Sequence, residues 1–138
     1  MGSSLWYDAV TLSLGRYSGW FSFDFQWCVP VVGPSFIDWT FRKNARRLKY
    51  NAKAATNNIH VIVGETGVPY SGSEEDYTLS LDRTLRAVES SDLDYAIWCY
   101  ETGSNAVDRD LWNREDLSLW SEGGGRGLQA AVRPWAQQ

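Results

Sequence analysis

From residue 36 to 55 the apolar positions recur at helical spacing. Ile37, Phe41, Ala45, Leu48, Ala52 and Ala55 fall on one stripe, and Arg42, Lys43, Arg46, Arg47, Lys49 and Lys53 cover much of the rest. Ser35 stands where an N-cap would, so a helix is predicted from about Phe36 to Ala55. Asn57-Asn58 marks a turn. The pattern then becomes a β-branched run, Ile59, Val61, Ile62 and Val63, which reads as a short strand buried on both faces. After a loop from Gly64 to Gly72, Ser71 with Glu74, or Ser73 with Asp76, offers a capping box. Leu81, Leu85 and Val88, with Tyr77 or Thr78 a turn earlier, make the core face of a second helix over Glu75 to Glu89. Asp94 opens a further strand, Tyr95 to Tyr100.

The flanks are less regular. Ser3 to Tyr7 reads as the stub of a strand, and Asp8 starts a helix carrying Val10, Leu12 and Leu14 up to Gly15. Tyr17 to Pro34 is aromatic and punctuated by Gly19, Pro30, Gly33 and Pro34, so it reads as a long loop. Glu101 to Glu115 is a second long loop, rich in Asp, Asn and Trp. Gly127 to Val132 forms a last short helix, ended by Pro134. The order strand, helix, strand, helix, strand, helix predicts an α/β fold with parallel strands. Three parallel strands cannot close a barrel, and they leave edges that need cover.

Composition narrows the classes. The 138 residues amount to one domain, and 43% hydrophobic with 22% charged residues supports a packed core. No apolar run approaches the roughly 20 residues of a membrane span. Met1-Gly2-Ser3-Ser4 lacks the basic and apolar regions of a signal peptide, which leaves the location open, with the cytoplasm as one option. A net charge of −4 argues against a non-specific nucleic-acid binder. The basic helix could attract anions or a membrane surface, although a solvated outer face is the plainer reading. Eight Trp and seven Tyr against five Phe suit sugar stacking, interfaces or membrane-surface contact, against the plainer reading of a Trp-rich core. Cys28 and Cys99 match no zinc spacing. They read either as one disulfide or, more plainly, as two buried free thiols.

Sites in parallel α/β folds form at the carboxyl ends of strands. One strand ends in Val63-Gly64-Glu65-Thr66-Gly67, where glycines on both sides of Glu65 would let a backbone come close to a ligand. A surface turn Glu is the competing reading. The other strand ends in Ile97-Trp98-Cys99-Tyr100-Glu101, where Trp98 is either a stacking surface for a sugar or a core residue. The loop behind it holds Asn105, Asp108, Asp110, Trp112, Asn113, Glu115 and Asp116, a mix suited to hydroxyl recognition and equally to solvation. With His60 as the single histidine, at the start of its strand, no serine triad is credible and His60 reads as structural. Gly123-Gly124-Gly125 lacks the Lys-Ser/Thr of a phosphate loop.

These stretches together resemble the C-terminal part of the catalytic barrel of glycoside hydrolase family 5, in the branch of endoglycoceramidases and fungal steryl-glucoside and glucosylceramide β-glucosidases. Leu5-Trp6-Tyr7-Asp8 resembles the family's His-Trp-Tyr-Asp at the sixth strand. Val63 to Tyr70 resembles its seventh-strand Gly-Glu-Phe/Thr-Gly followed by an apolar residue and Pro. Trp98-Cys99-Tyr100 and the run Asp110 to Leu119 resemble the eighth strand and its loop. Gly124 to Trp135 resembles the closing helix and exit.

The resemblance implies an incomplete (β/α)8 TIM barrel, about strands six to eight with their helices, over residues 1–138 with no second domain. It implies that Glu65 is the nucleophile of a retaining β-glycosidase. Tyr7, Trp98, Trp6, Trp112 and Asn113 would be substrate-binding residues, and no cofactor or metal would be needed. The substrate would be a β-glucoside of a lipid, a sterol glucoside or glucosylceramide, with the aromatic segment Trp20 to Trp27 near the lipid and peripheral membrane-surface contact. The family's acid/base Glu lies on the fourth strand, outside this chain. Leu5 replaces the family's His, and Cys99 stands where relatives often carry Asn. Asp8, Glu101 and Asp108 are the internal carboxylates near strand ends. The alternative is a non-catalytic carbohydrate- or glycolipid-binding remnant, or an inactive fragment.

Overall fold

The computed structural model describes residues 2–57 and 59–133. Strand β1 (Gly2–Leu5) leads into α1 (Ala9–Leu14), the strands β2 (Phe21–Asp24) and β3 (Val29–Val32), and the long helix α2 (Pro34–Ala55). Then come β4 (Val61–Thr66), α3 (Glu74–Glu89), β5 (Asp94–Ile97), the two-residue strands β6 (Trp120–Ser121) and β7 (Gly124–Gly125), and α4 (Leu128–Ala131). Strands β1, β4 and β5 form one parallel sheet in the order β1-β4-β5, so β4 is central. The architecture is mixed α/β with an open parallel sheet, as the sequence order predicts.

Helices α2 and α3 pack on each other and cover one face of this sheet. Ile37, Phe41 and Ala45 of α2 meet Ala87 of α3 and Val31 of β3. Val61 and Val63 of β4 meet Val88 and Leu93. Leu81 and Leu85 are fully buried against Val68, Tyr70, Leu119 and Ala130. Burying one such leucine contributes about 2 kcal/mol, so this layer carries much of the fold's stability.

Local signals set the element ends. Asp8 caps α1, its carboxylate accepting from the Thr11 N–H at 3.1 Å, and Gly15 ends the helix at φ 65°. Ser73 caps α3, accepting from the Asp76 N–H and donating to the Asp76 carboxylate. Ser71 instead donates to the Gly15 carbonyl.

Several expectations are corrected. Helix α2 starts at Pro34, not after a Ser35 cap, because proline suits the first helical position and Gly33 occupies the cap. Ala55 is exposed at the far end of the stripe. In α1 the spacing of Val10, Leu12 and Leu14 is wrong for a helix face, and only Val10 is buried with Thr11. Strand β4 is covered unevenly: Val61, Val63 and Thr66 are buried, Ile62, Gly64 and Glu65 half-buried, and Ile59 lies outside the strand. Strand β5 stops at Ile97 rather than Tyr100, and the Trp98–Cys99 peptide is cis.

The segment Tyr17 to Pro34 is not a loop. It folds as an antiparallel hairpin with Ser22 opposite Val31 and Phe23 opposite Pro30. Its turn is made by the Asp24 carboxylate, which accepts from the Gln26 and Trp27 N–H groups at 3.0 and 3.3 Å. Gly123-Gly124-Gly125 likewise belongs to a small hairpin, β6 with β7. Both cysteines are free thiols; Cys28 is exposed and Cys99 half-buried, so neither the disulfide nor two buried thiols describes them. Asn58 of the predicted turn, and Pro134 and Trp135 at the exit, lie outside the described residues.

Candidate active site

The three strand ends converge. Tyr7 follows the end of β1, Glu65 lies in the last residues of β4, and Trp98 follows β5. Because β4 is central, its carboxylate sits between the other two. The register fixes this arrangement: Ser4 pairs with Val63 but Leu5 with Glu65, so Gly64 is skipped in a bulge. The Trp6 N–H donates to the Glu65 carbonyl at 3.1 Å, and the Trp98 N–H donates to the Thr66 carbonyl at 2.7 Å. Glu65 is therefore part of the strand rather than of the turn beyond it.

The glycines beside Glu65 serve the chain itself. A Cβ at Gly64 would come within 2.2 Å of the Ser3 hydroxyl oxygen. One at Gly67 would come within 2.3 Å of the Trp98 carbonyl oxygen and 3.7 Å of the Tyr7 ring. The close approach they permit is strand against strand, not backbone against ligand as the sequence suggested.

The Tyr7 hydroxyl donates to the Glu65 carboxylate at 2.5 Å across 58 residues of sequence. Burial pushes the Tyr7 phenol far above its ordinary range, and the hydrogen bond to Glu65 and the nearby negative charges of Glu65 and Glu115 push it the same way. The phenol therefore stays protonated and remains a donor at neutral pH. Glu115 is raised as well, by burial first and then by the carboxylates of Asp110 and Glu65. In the sequence Glu115 is one polar residue of a loop among several. Its nearness to Tyr7 and Glu65 depends on how that loop folds back, which no local pattern reveals.

The run Asp110 to Leu119 divides in two. Its second half is structural. Leu117, Ser118 and Leu119 are buried, Leu117 and Leu119 exchange backbone hydrogen bonds with Cys99, and Asp116 pairs with Arg126 at 2.7 Å. Its first half is presented to solvent. Trp112 is 60% exposed, and Leu111, Asn113 and Arg114 all have positive φ. Asp110 ties the two halves, its backbone N–H donating to the Glu115 carbonyl and its carboxylate accepting from the Trp112 N–H.

The other candidates separate. Trp98 is half-buried beside Gly67. Trp6 turns to the helix side, where its ring meets Phe41 edge-on at 5.5 Å and packs against both the α2 and β4 clusters. It backs Tyr7 from the core rather than lining the strand mouth. The Asp8 carboxylate is engaged by the α1 cap and by Ser22, and Glu101 accepts from the Gly103 N–H at 2.8 Å. The Cys99 thiol is pushed up to about 11 by burial and by the carboxylates of Asp110 and Glu101. His60 pairs with Asp94 at the opposite end of the sheet. Among the described residues no three His, Cys, Asp or Glu side chains group as metal ligands.

A parallel sheet with a carboxylate at the end of its central strand puts the candidate site where parallel α/β folds form theirs. Comparison with known proteins is more specific. The chain is 32% identical to ergosteryl-β-glucosidase of Saccharomyces cerevisiae over 101 residues, which is 66% of this chain and 13% of that protein. It is 24% identical to glucosylceramidase of Rhizopus delemar, over 95% of this chain and 25% of that protein. The crystal structure of sterylglucosidase 1 from Cryptococcus neoformans with tris superposes with a TM-score of 0.86 at 24% identity, covering 96% of this chain and 24% of that one. No family model matches. The chain is similar to a segment of these glucosidases, and it spans a quarter or less of the length of the relatives it matches.

Proposed function

We propose that this chain is the nucleophile half of a retaining β-glucosidase that acts on glucosides of lipids, and that it corresponds to about strands six to eight of a TIM barrel. The observation that carries this is the 2.5 Å hydrogen bond from Tyr7 to Glu65 at the ends of adjacent parallel strands. In the proposed chemistry the Glu65 carboxylate attacks the anomeric carbon and forms a glycosyl ester. The bond to the leaving oxygen breaks, and that oxygen takes a proton from a second carboxyl group about 5–5.5 Å away. Water then hydrolyses the ester with retention. Tyr7 orients the carboxylate for attack. Trp98 stacks on the sugar, and Trp112 and Asn113 meet its hydroxyls from the exposed half of their loop. The relatives' names, an ergosteryl-β-glucosidase and a glucosylceramidase, support a glycolipid substrate, and contact with a membrane surface is a further part of the proposal.

The proposed split of the two carboxyl roles sets the test. General acid help contributes about 10²–10⁴ in rate, and a dinitrophenolate leaving group needs little of it. The chain is expected to release dinitrophenolate from 2,4-dinitrophenyl β-glucoside in a burst of up to one equivalent. Added azide, which attacks the ester without a general base, should raise turnover and yield β-glucosyl azide. Release no faster than that of Glu65→Gln would overturn the catalytic reading. If sugar still changed the Trp fluorescence, a binding role would replace it.

A further inference from the structure

The hairpin and α2 build a second surface, on the side of α2 away from the sheet. Trp27, Val29 and Val32 of the hairpin and Phe36 and Trp39 of α2 line an open groove of about 780 Å³. All five are large apolar side chains at least 45% exposed. The exposed stripe continues down the helix at i+3 and i+4 steps, from Phe36 and Trp39 through Lys43 and Arg46 to Tyr50. Soluble surfaces rarely leave an apolar area of this kind open without a partner.

Charge identifies the partner. Helix α2 carries six basic residues and one acidic residue in a chain whose net charge is −4. The acids near the groove are already satisfied. Asp24 is buried and bonded to Lys43, and Asp38 pairs with Arg83 at 2.8 Å. Lys43 also lies over the rings of Trp27 and Trp39, at 5.5 and 5.1 Å, and so joins the aromatic and basic parts into one face. Arg42, Arg46 and Arg47 are exposed and have no carboxylate partner among the described residues. Trp and Phe side chains beside uncompensated arginines, on a helix exposed along one stripe, are the chemistry of a helix lying in a lipid–water interface.

We infer that the outer face of α2 with the hairpin docks on an anionic phospholipid surface. The aromatic end enters the headgroup region and the arginines meet lipid phosphates and carboxylates. The hairpin is tied to the strand-end site, because the Ser22 hydroxyl donates to Asp8, the residue after Tyr7. Docking would therefore hold that end of the sheet near the membrane. The inference extends the glycolipid reading without using Glu65, and vesicles free of any glucoside test it separately.

The experiment is co-sedimentation of the native chain with phosphatidylcholine vesicles, with and without about one quarter phosphatidylserine. Binding to the anionic vesicles is expected, with a blue shift of Trp emission and weakening as salt is raised. Removing Arg42 and Arg46 as Arg42→Gln and Arg46→Gln should weaken it roughly fivefold per arginine. Phe36→Ser with Trp39→Ser should abolish the blue shift. Three outcomes would overturn the proposal: a folded native chain that partitions onto neither vesicle, equal binding to neutral and anionic vesicles, or a stable dimer in which a second copy covers Trp39.

Discussion

The two ends of the parallel sheet carry the same kinds of groups and treat them differently. At the start of the strands, His60 meets Asp94 at 2.8 Å and Lys49 meets Asp92 at 2.9 Å, but His60, Asp94 and Asp92 stand open to water. At the far end, Tyr7 meets Glu65 at 2.5 Å with both half-buried; off the sheet, in the hairpin, Asp24 is 2% exposed under Lys43. Partnered carboxylates alone therefore do not mark a site. Screening by water makes the first pair of contacts energetically slight, whereas partial shielding from water leaves the second pair less screened. The end with the half-buried Tyr7–Glu65 pair is also the end where the strand carboxyl termini, the loops and the glycine-permitted close contacts converge.

The largest effect on this contrast is expected at Gly67. Alanine there would press a Cβ within 2.3 Å of the Trp98 backbone oxygen, which cannot rotate aside. Gly67→Ala should destabilise the fold by about 2–3 kcal/mol in urea unfolding, and any activity at Glu65 should fall with it. An unchanged midpoint would mean that the strand ends are looser than their register indicates.

A smaller effect is expected on acidification. Burial pushes Asp24 up, but the hydrogen bonds from Lys43 and from the Trp27 and Gln26 N–H groups outweigh it, and its carboxyl lies below the ordinary range. A depressed carboxyl stabilises the fold above its unfolded pKa, near 3.9, and that stability is lost as pH falls through the folded value. The hairpin should therefore stay docked at pH 5 and loosen only as pH falls below the ordinary carboxyl range, as read by Trp fluorescence. In Lys43→Met, with Asp24 left buried and short of a partner, the loosening should begin at higher pH.

The smallest effect belongs to the other end. His60→Ala should leave the melting temperature within about 2 °C of the parent, because both His60 and Asp94 are solvated. A large loss there would remove the contrast between the two ends.

Much of this was legible in the chain. The α2 stripe, the Asp8 and Ser73 caps, the β-branched run of β4 and the core face of α3 are local patterns, set by period and by single hydrogen bonds. Glu65 was legible because an apolar strand runs straight into it. The hairpin was hidden because Pro30, Gly33 and Pro34 are turn signals locally. Pairing of Ser22 with Val31 tolerates them, since Pro30 sits on the exposed side of a two-stranded ribbon. The family resemblance makes Trp6 a substrate residue alongside Tyr7, but a strand end alternates direction, and Trp6 faces Phe41 while Tyr7 faces Glu65. Glu115 was not separable from its loop, because its position depends on the anchoring of Asp116 and Ser118 by Arg126 and Glu101.

The most direct measurement is covalent labelling with a 2-deoxy-2-fluoro-β-glucosyl donor carrying a dinitrophenolate leaving group, followed by intact mass and peptide mapping. One glucosyl adduct on Glu65, absent from Glu65→Gln and slower to form in Tyr7→Phe, is the predicted result. A cooperatively unfolding chain that takes up no label, or that carries it on another carboxylate, would contradict the assignment of Glu65 as the nucleophile.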